Sequence, residues 1–177
     1  METFTDGLSL EDFFELEISG MLEVPERKTG LKYLVFLDSY GKERERENNS
    51  PRLMIDLSGH DYEDIVPVSI DKFNPKVLID REVPNFESVA EWIKKNYFIL
   101  ICHWNQKLDD VDVSHLFGDE NYIRDSVKKW ILEKYGEEDF ILFKENRRRL
   151  TKLAKMKLEK LMKSEQDGIS DVDNIGR

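Results

Sequence analysis

Residues 85–106, NFESVAEWIKKNYFILICHWNQ, decide how the rest of the chain must fold. Phe86, Val89, Ala90, Ile93, Tyr97, Leu100, Ile101 and Trp104 recur in steps of three and four, which lines them along one side of a helix. A competing reading makes Tyr97 to Trp104 (YFILICHW) a buried strand, because Phe98, Ile99 and Ile101 favour extended backbone. The helix is preferred, since the stripe runs unbroken from Phe86. A helix with so broad an apolar side must lie across a matching surface, and the segments before it offer one.

Those upstream segments read as strands. Ser9 and Asp12 (SLED) form a capping pair for a short helix, after which Phe14, Leu16 and Ile18 alternate with Glu15 and Glu17. Leu22 and Val24 continue that alternation. Pro25 to Gly30 (PERKTG) is a turn, and Lys32 to Leu37 (KYLVFL), apolar on both faces, is the candidate central strand. Residues 38–51, with the charged run KEREREN, form a polar surface loop. Arg52 to Leu57 (RLMIDL) places Leu53, Ile55 and Leu57 on one face. Ile65 to Ile70 (IVPVSI) does the same with Val66, Val68 and Ile70, while Pro67 implies an edge position or a bulge. Lys76 to Ile79 (KVLI) is a short last strand after the turn at Asn74-Pro75. The connections are too short for helical crossovers. The expected sheet is therefore a mostly antiparallel meander of four to six strands, packed on the long helix.

Beyond Asp109 the pattern becomes helical. Asp119 caps a predicted helix that runs to Tyr135 through Ile123, Val127, Trp130 and Ile131, with Gly136 as its stop. Glu137 to Lys163 is a second, longer helix carrying Phe140, Phe143, Leu150, Leu153, Ala154, Leu158 and Leu161. SEQDGISDVDNIGR lacks periodicity and is expected to be a disordered tail. The predicted class is α+β, with an α+β domain over 1–117, a C-terminal helical hairpin over 118–163 and a tail over 164–177.

Composition narrows the function classes. Charged residues make up 36% of the chain, against about 25% in ordinary globular proteins, so much of it is solvated surface. The net charge of -10 argues against a simple nucleic-acid coat. One cysteine, Cys102, excludes an intrachain disulfide and a cysteine zinc cluster and fits a reducing compartment. No run reaches the roughly 18 apolar residues of a membrane span. The start, METFTDGLSLEDFF, is acidic and unlike a signal peptide. The expectation is a cytoplasmic protein without a membrane partner.

The charge is unevenly spread. Phe140 to Lys163 holds nine basic residues against Glu145 and Glu159, a net of +7. The segment from Ser164 carries -3, which leaves -14 on the residues before Phe140. Arg147, Arg148, Arg149, Lys152 and Lys155 are the candidate nucleic-acid-binding or partner-binding residues, since a basic helix grips phosphates by releasing counterions. The same residues could dock the acidic body of a neighbouring molecule, or form the wet side of an amphipathic helix. No base-stacking aromatics interleave the basic run, and no zinc-finger, RRM or KH signature is present.

Catalytic signals are thin. Asp109, Asp110, Asp112 and His115 (DDVDVSH) are the densest set of potential ligands, but the glycine and distal glutamate of a calcium loop are missing. They read as a solvated connector capping the next helix, and no metal or cofactor is assigned. His60 and Asp61, flanked by Asp56 and Asp64, could tune an imidazole as a general base. No nucleophile motif accompanies them: Cys102 reads as a buried thiol, and His103 beside it points about 100° away on the helix. Walker and dinucleotide fingerprints are also absent. Trp104 lies on the apolar stripe, whereas Trp92 sits at its margin as a candidate contact between the two parts of the chain.

Three segments, SPRLMIDL, IVPVSIDKFNPKVLI and VAEWIKKNYFILICHWN, together resemble small bacterial proteins of unknown function coded beside toxin-antitoxin or mobile-element genes. The resemblance spans Lys32 to Leu116 and implies a curled sheet paired with a helix. Those proteins carry histidines in the strand after the prolines; here Arg52, Leu53 and Met54 stand there, so no active site carries over. The leading expectation is a non-enzymatic interaction protein of a bacterial accessory system, using its C-terminal helices for self-association or for a protein partner. The alternatives are a nucleic-acid-binding regulator acting through the basic helix and a metal-dependent hydrolase or nuclease.

Overall fold

The computed structural model describes residues 21–38, 50–59, 64–118 and 123–173, with side chains to residue 168. The SLED cap, the Phe14 to Ile18 strand, the KEREREN loop, His60, Asp61 and Asp119 lie outside these residues. The elements in chain order are β1 (Leu22–Val24), α1 (Glu26–Thr29), β2 (Leu34–Leu37), β3 (Arg52–Asp56) and β4 (Ile65–Ser69). Then come α2 (Phe86–Trp104), α3 (Asp110–Phe117), α4 (Asp125–Lys134) and α5 (Glu137–Asp173). The class is α+β. The chain divides into two compact units, Met1–Phe117 and Gly118–Arg177.

In the first unit the strands form an antiparallel meander in the order β1-β2-β3-β4. The register sorts side chains onto two unlike faces. Val24, Val35, Ile55 and Val66 lie side by side, as do Leu22, Leu37, Leu53 and Val68. All eight are buried. The opposite face mixes Glu23, Leu34, Phe36, Arg52, Met54, Asp56, Ile65, Pro67 and Ser69. Of the strand expected over KYLVFL, LVFL forms the interior strand β2, as its apolar faces require, and all four of its residues are buried.

Pro67 explains where the sheet stops. The amide of Ile70 donates to Pro51 on the inner side, so the position of the missing Pro67 N–H falls on the outer edge. There the returning chain makes two bonds, Ser69 N–H to Lys76 O (2.9 Å) and Leu78 N–H to Pro67 O (3.0 Å). Without a donor at Pro67 the ladder does not extend. The strand expected over 76–79 is accordingly reduced to one bridge, Val68 with Val77. In the turn between them Asp71 accepts from the amides of Asn74 (2.7 Å) and Phe73 (2.8 Å), which holds its carboxyl below the ordinary value.

PERKTG winds into the single turn α1 instead of a plain reverse turn. Gly30 closes it at φ 73°, a left-handed conformation that needs glycine, with its amide on Glu26 O at 2.7 Å.

The stretch that decides the fold is helical throughout, and the competing strand over Tyr97 to Trp104 does not form. Its buried side is rotated from the expected stripe. Val89, Ile93, Leu100 and Trp104 are buried as expected, but Trp92 and His103 join them, while Phe86, Ala90, Tyr97 and Ile101 are only partly covered. The reason is local: Trp92 packs on Phe117 of α3 at 5.4 Å between ring centroids. Trp92 thus packs within the first unit. α3 touches both α2 and β1.

In the second unit α4 starts at Asp125, later than the expected Asp119, and ends through Tyr135 and Gly136. Gly136 has φ 95° and donates to Ile131 O at 3.2 Å, which is the stop its position implied. Glu137, Glu138 and Asp139 fill the first turn of α5, where carboxylates favour the positive helix end. α4 contacts α5, and Ile131, Phe140 and Phe143 are buried there. The disordered tail expected from Ser164 gives way to helix as far as Asp173. No proline interrupts this stretch, Gly168 is not in the left-handed region, and the Ser164 hydroxyl donates to Lys160 O at 3.0 Å. A lone helical glycine costs only about 1 kcal/mol, too little to end a helix this long.

Candidate functional site

α5 has 37 residues and α4 has 10. At about 1.5 Å per residue α4 can lie along little more than a quarter of its partner. What α5 shows on its sides therefore matters. Phe140, Phe143, Thr151 and Ala154 are buried and share one side of the helix. Around them the cations are used locally: Lys144 sits over the Phe140 ring (5.0 Å), Lys128 of α4 over the same ring (5.9 Å), and Arg147 over Phe143 (5.9 Å).

The five candidate binding residues do not form one cluster. Arg147 is half-buried over Phe143 and belongs to the covered side. Arg148, Lys152 and Lys155, at i, i+4 and i+7, form an exposed basic row. Arg149 starts the neighbouring row, donating to Asn146 Oδ1 at 2.8 Å. That row continues through Leu153, Met156 and Lys160, and reaches back to Leu142. Leu142 is 59% exposed, Leu153 53% and Met156 55%. Leu153 was expected on the same stripe as Leu150 and Ala154. A helix advances about 100° per residue, so Leu153 and Ala154 diverge, and only Ala154 is covered. The uncovered side of α5 is thus an apolar strip within basic residues, legible only as two overlapping stripes in the sequence.

The carboxylate cluster after α2 has a different use. α2 ends in a Schellman turn: Gln106 takes φ 59°, its amide donates to His103 O (2.9 Å), and the amide of Lys107 donates to Cys102 O (2.8 Å). Asp109 then caps α3, its Oδ1 accepting from the Asp112 amide (2.8 Å), while the Asp109 amide donates to Asp112 Oδ2 (3.1 Å). DDVDVSH is therefore mostly helix, correcting the connector expected there. The carboxylates of Asp109 and Asp112 are absorbed by its own cap. Among the described residues no group of three or more His, Cys, Asp or Glu side chains is placed to hold a metal ion.

The sharp turn brings His103 back onto Asp110, with Nε2 and Oδ1 2.6 Å apart. His103 is 4% exposed and Asp110 18%. No residue spacing marks this pair, because it depends on the turn between the helices. An imidazole so enclosed holds the α2–α3 corner and is not presented to a substrate. Asp110→Ala leaves the ring without this acceptor and is expected to destabilise the first unit by about 1–3 kcal/mol. Asp110→Asn, which keeps an acceptor oxygen, should cost less. Urea unfolding of the two variants checks the order; a wild-type midpoint for Asp110→Ala would remove the pair from the stability account.

The carboxylates that flank the His60 candidate are also engaged in structure. Asp56 is fully buried and accepts from the Ser58 amide (2.9 Å) and hydroxyl (2.5 Å). Asp64 pairs with Arg81. Cys102 is buried, and no helix among the described residues is long and apolar enough to cross a membrane.

Against this geometry, comparison with protein-family models, with curated proteins and with solved structures returns no match.

Proposed function

We propose that this chain is a non-enzymatic interaction protein that works through its C-terminal helices, binding another protein or a second copy of itself. One observation carries the reading: Leu142, Leu153 and Met156 stand half or more exposed on a long helix, beside Arg148, Lys152 and Lys155. Exposed apolar side chains in a row are the mark of a protein-docking face and serve no purpose on a surface that only meets phosphates. In the same reading α2 covers the apolar face of the sheet, and α4 with α5 makes an antiparallel hairpin. The resemblance of residues 32–116 to small bacterial proteins near mobile elements suggests an accessory system as the setting.

The second reading, a nucleic-acid-binding regulator, draws on the exposed row Arg148, Lys152 and Lys155. A metal-dependent hydrolase or nuclease has less to stand on, since Asp109 and Asp112 are occupied as helix caps. The first two separate in one titration of the full chain against labelled duplex DNA and RNA at low salt. The interaction reading expects no binding that Arg148→Glu with Lys152→Glu removes. Tight, salt-steep duplex binding lost in that double variant would replace it with the regulator.

A further inference from the structure

We infer that the occupant of the exposed side of α5 is an acidic amphipathic helix of a different protein, not a second α5. The inference rests on the interaction reading and names the partner's chemistry.

Three observations converge on it. The first is the pattern along the row: Arg149, Leu153, Met156 and Lys160 put two apolar side chains between two cations, one helical turn apart at each step. The next row, Arg148, Lys152 and Lys155, adds three exposed positive charges alongside. A complementary surface has apolar residues at its centre and carboxylates on its flanks, the layout of a helix with leucines at i, i+4 and i+7 edged by glutamates. Methionine and leucine adapt well to such a partner, because unbranched, flexible side chains fill irregular gaps.

The second observation excludes a matching α5. Leu153 and Met156 lie at the middle of the basic block, which runs from Lys144 to Lys163 and keeps a net charge of +7 despite Glu145 and Glu159 within it, with acidic clusters before it (Glu137, Glu138, Asp139) and after it (Glu165, Asp167, Asp171, Asp173). Docking this patch on its copy sets the basic block against itself in a parallel pair. An antiparallel pair centred on the patch does the same and also sets the acidic ends together. Both orientations are repulsive.

The third is that polyanions without an apolar groove leave the strip uncovered. A phosphate backbone would satisfy Arg148, Lys152 and Lys155 but do nothing for side chains that are 53% and 55% exposed.

The test uses the full chain and a fluorescein-labelled synthetic peptide that is helical, leucine-striped and glutamate-edged. A scrambled peptide of the same composition, an unrelated DNA duplex and anionic lipid vesicles run beside it. The striped peptide is expected to bind at moderate salt, with the scrambled one about 10-fold weaker. Leu153→Gln with Met156→Gln should weaken the striped peptide about 10-fold, since each side chain still buries roughly half its area. Both positions face solvent, so this double variant should keep the wild-type melt. Arg149→Glu with Lys152→Glu should abolish binding.

Equal affinity for striped and scrambled peptides, or indifference to Leu153→Gln with Met156→Gln, overturns the inference, as does no binding of the striped peptide. Preferential binding of duplex overturns the inference and the interaction reading together. Preferential binding of vesicles, lost with Leu153→Gln and Met156→Gln, overturns it in favour of a lipid surface. Light scattering gives the remaining outcome: a dimer that those two substitutions dissociate defeats the choice of a foreign partner but leaves the interaction reading standing.

Discussion

Ile93→Asp is expected to abolish the cooperative unfolding transition of the first unit. Ile93 is fully buried at the centre of α2, between Val89 and Leu100 on the same side of the helix. An aspartate there loses an isoleucine's burial, worth about 1.5–3 kcal/mol, and also encloses a carboxylate, which costs several kcal/mol more even if it takes up a proton. Small domains hold together by only about 5–15 kcal/mol in all, so the combined loss removes most or all of the margin. Two milder changes grade the effect. Ile93→Ala should cost about 2–5 kcal/mol and Ile93→Val about 0.5–1.5 kcal/mol. Circular dichroism melts of the three variants decide the matter. A melt of Ile93→Asp within a few degrees of wild type would show that α2 does not hold the unit together.

Neighbouring residues of β3 should respond in opposite ways, because the register puts them on unlike faces. Ile55 is fully buried between Val35 on one strand and Val66 on the other. Met54 is only partly covered and stands between Phe36 and Pro67. Ile55→Asp therefore strands a charge in the apolar face and is expected to unfold the sheet, by the same reasoning as for Ile93. Met54→Lys keeps its charged end in water along a face that already carries Arg52, and should cost no more than about 1 kcal/mol. Since strand side chains alternate with a period of two, a one-residue slip would exchange the two outcomes. Denaturant midpoints of the two variants thus report the register directly. Equal losses at both positions would mean that both faces are core.

Much of the first unit was legible because its signals are local. Alternation marked β3 and β4, the continuous apolar run marked β2 as interior, and Pro67 marked the outer edge of β4. The three-and-four spacing from Phe86 to Trp104 was enough to choose helix over strand for residues whose propensities favour strands. Gly136 announced the break between α4 and α5, because no other residue takes the left-handed conformation so readily.

The misses share a cause. Which side of α2 is buried was off by the width of Trp92, since the period fixes a stripe but not the neighbour, Phe117, that widens it. DDVDVSH looked like loop because five of its seven residues are polar, yet reciprocal capping by Asp109 and Asp112 starts a helix there. Leu153 and Ala154 appeared to belong to one stripe, and only the partner surface could sort the covered one from the exposed one.

Periodicity and charge order are properties of the chain one turn at a time, so the sequence alone determined α2, the main run of α4 and α5, the meander and the basic block of α5. The His103–Asp110 contact and the uncovered strip of Leu142, Leu153 and Met156 arise where separate elements meet or fail to meet. Those depend on the angle of a Schellman turn and on α4 being far shorter than α5, and tertiary structure alone decided them.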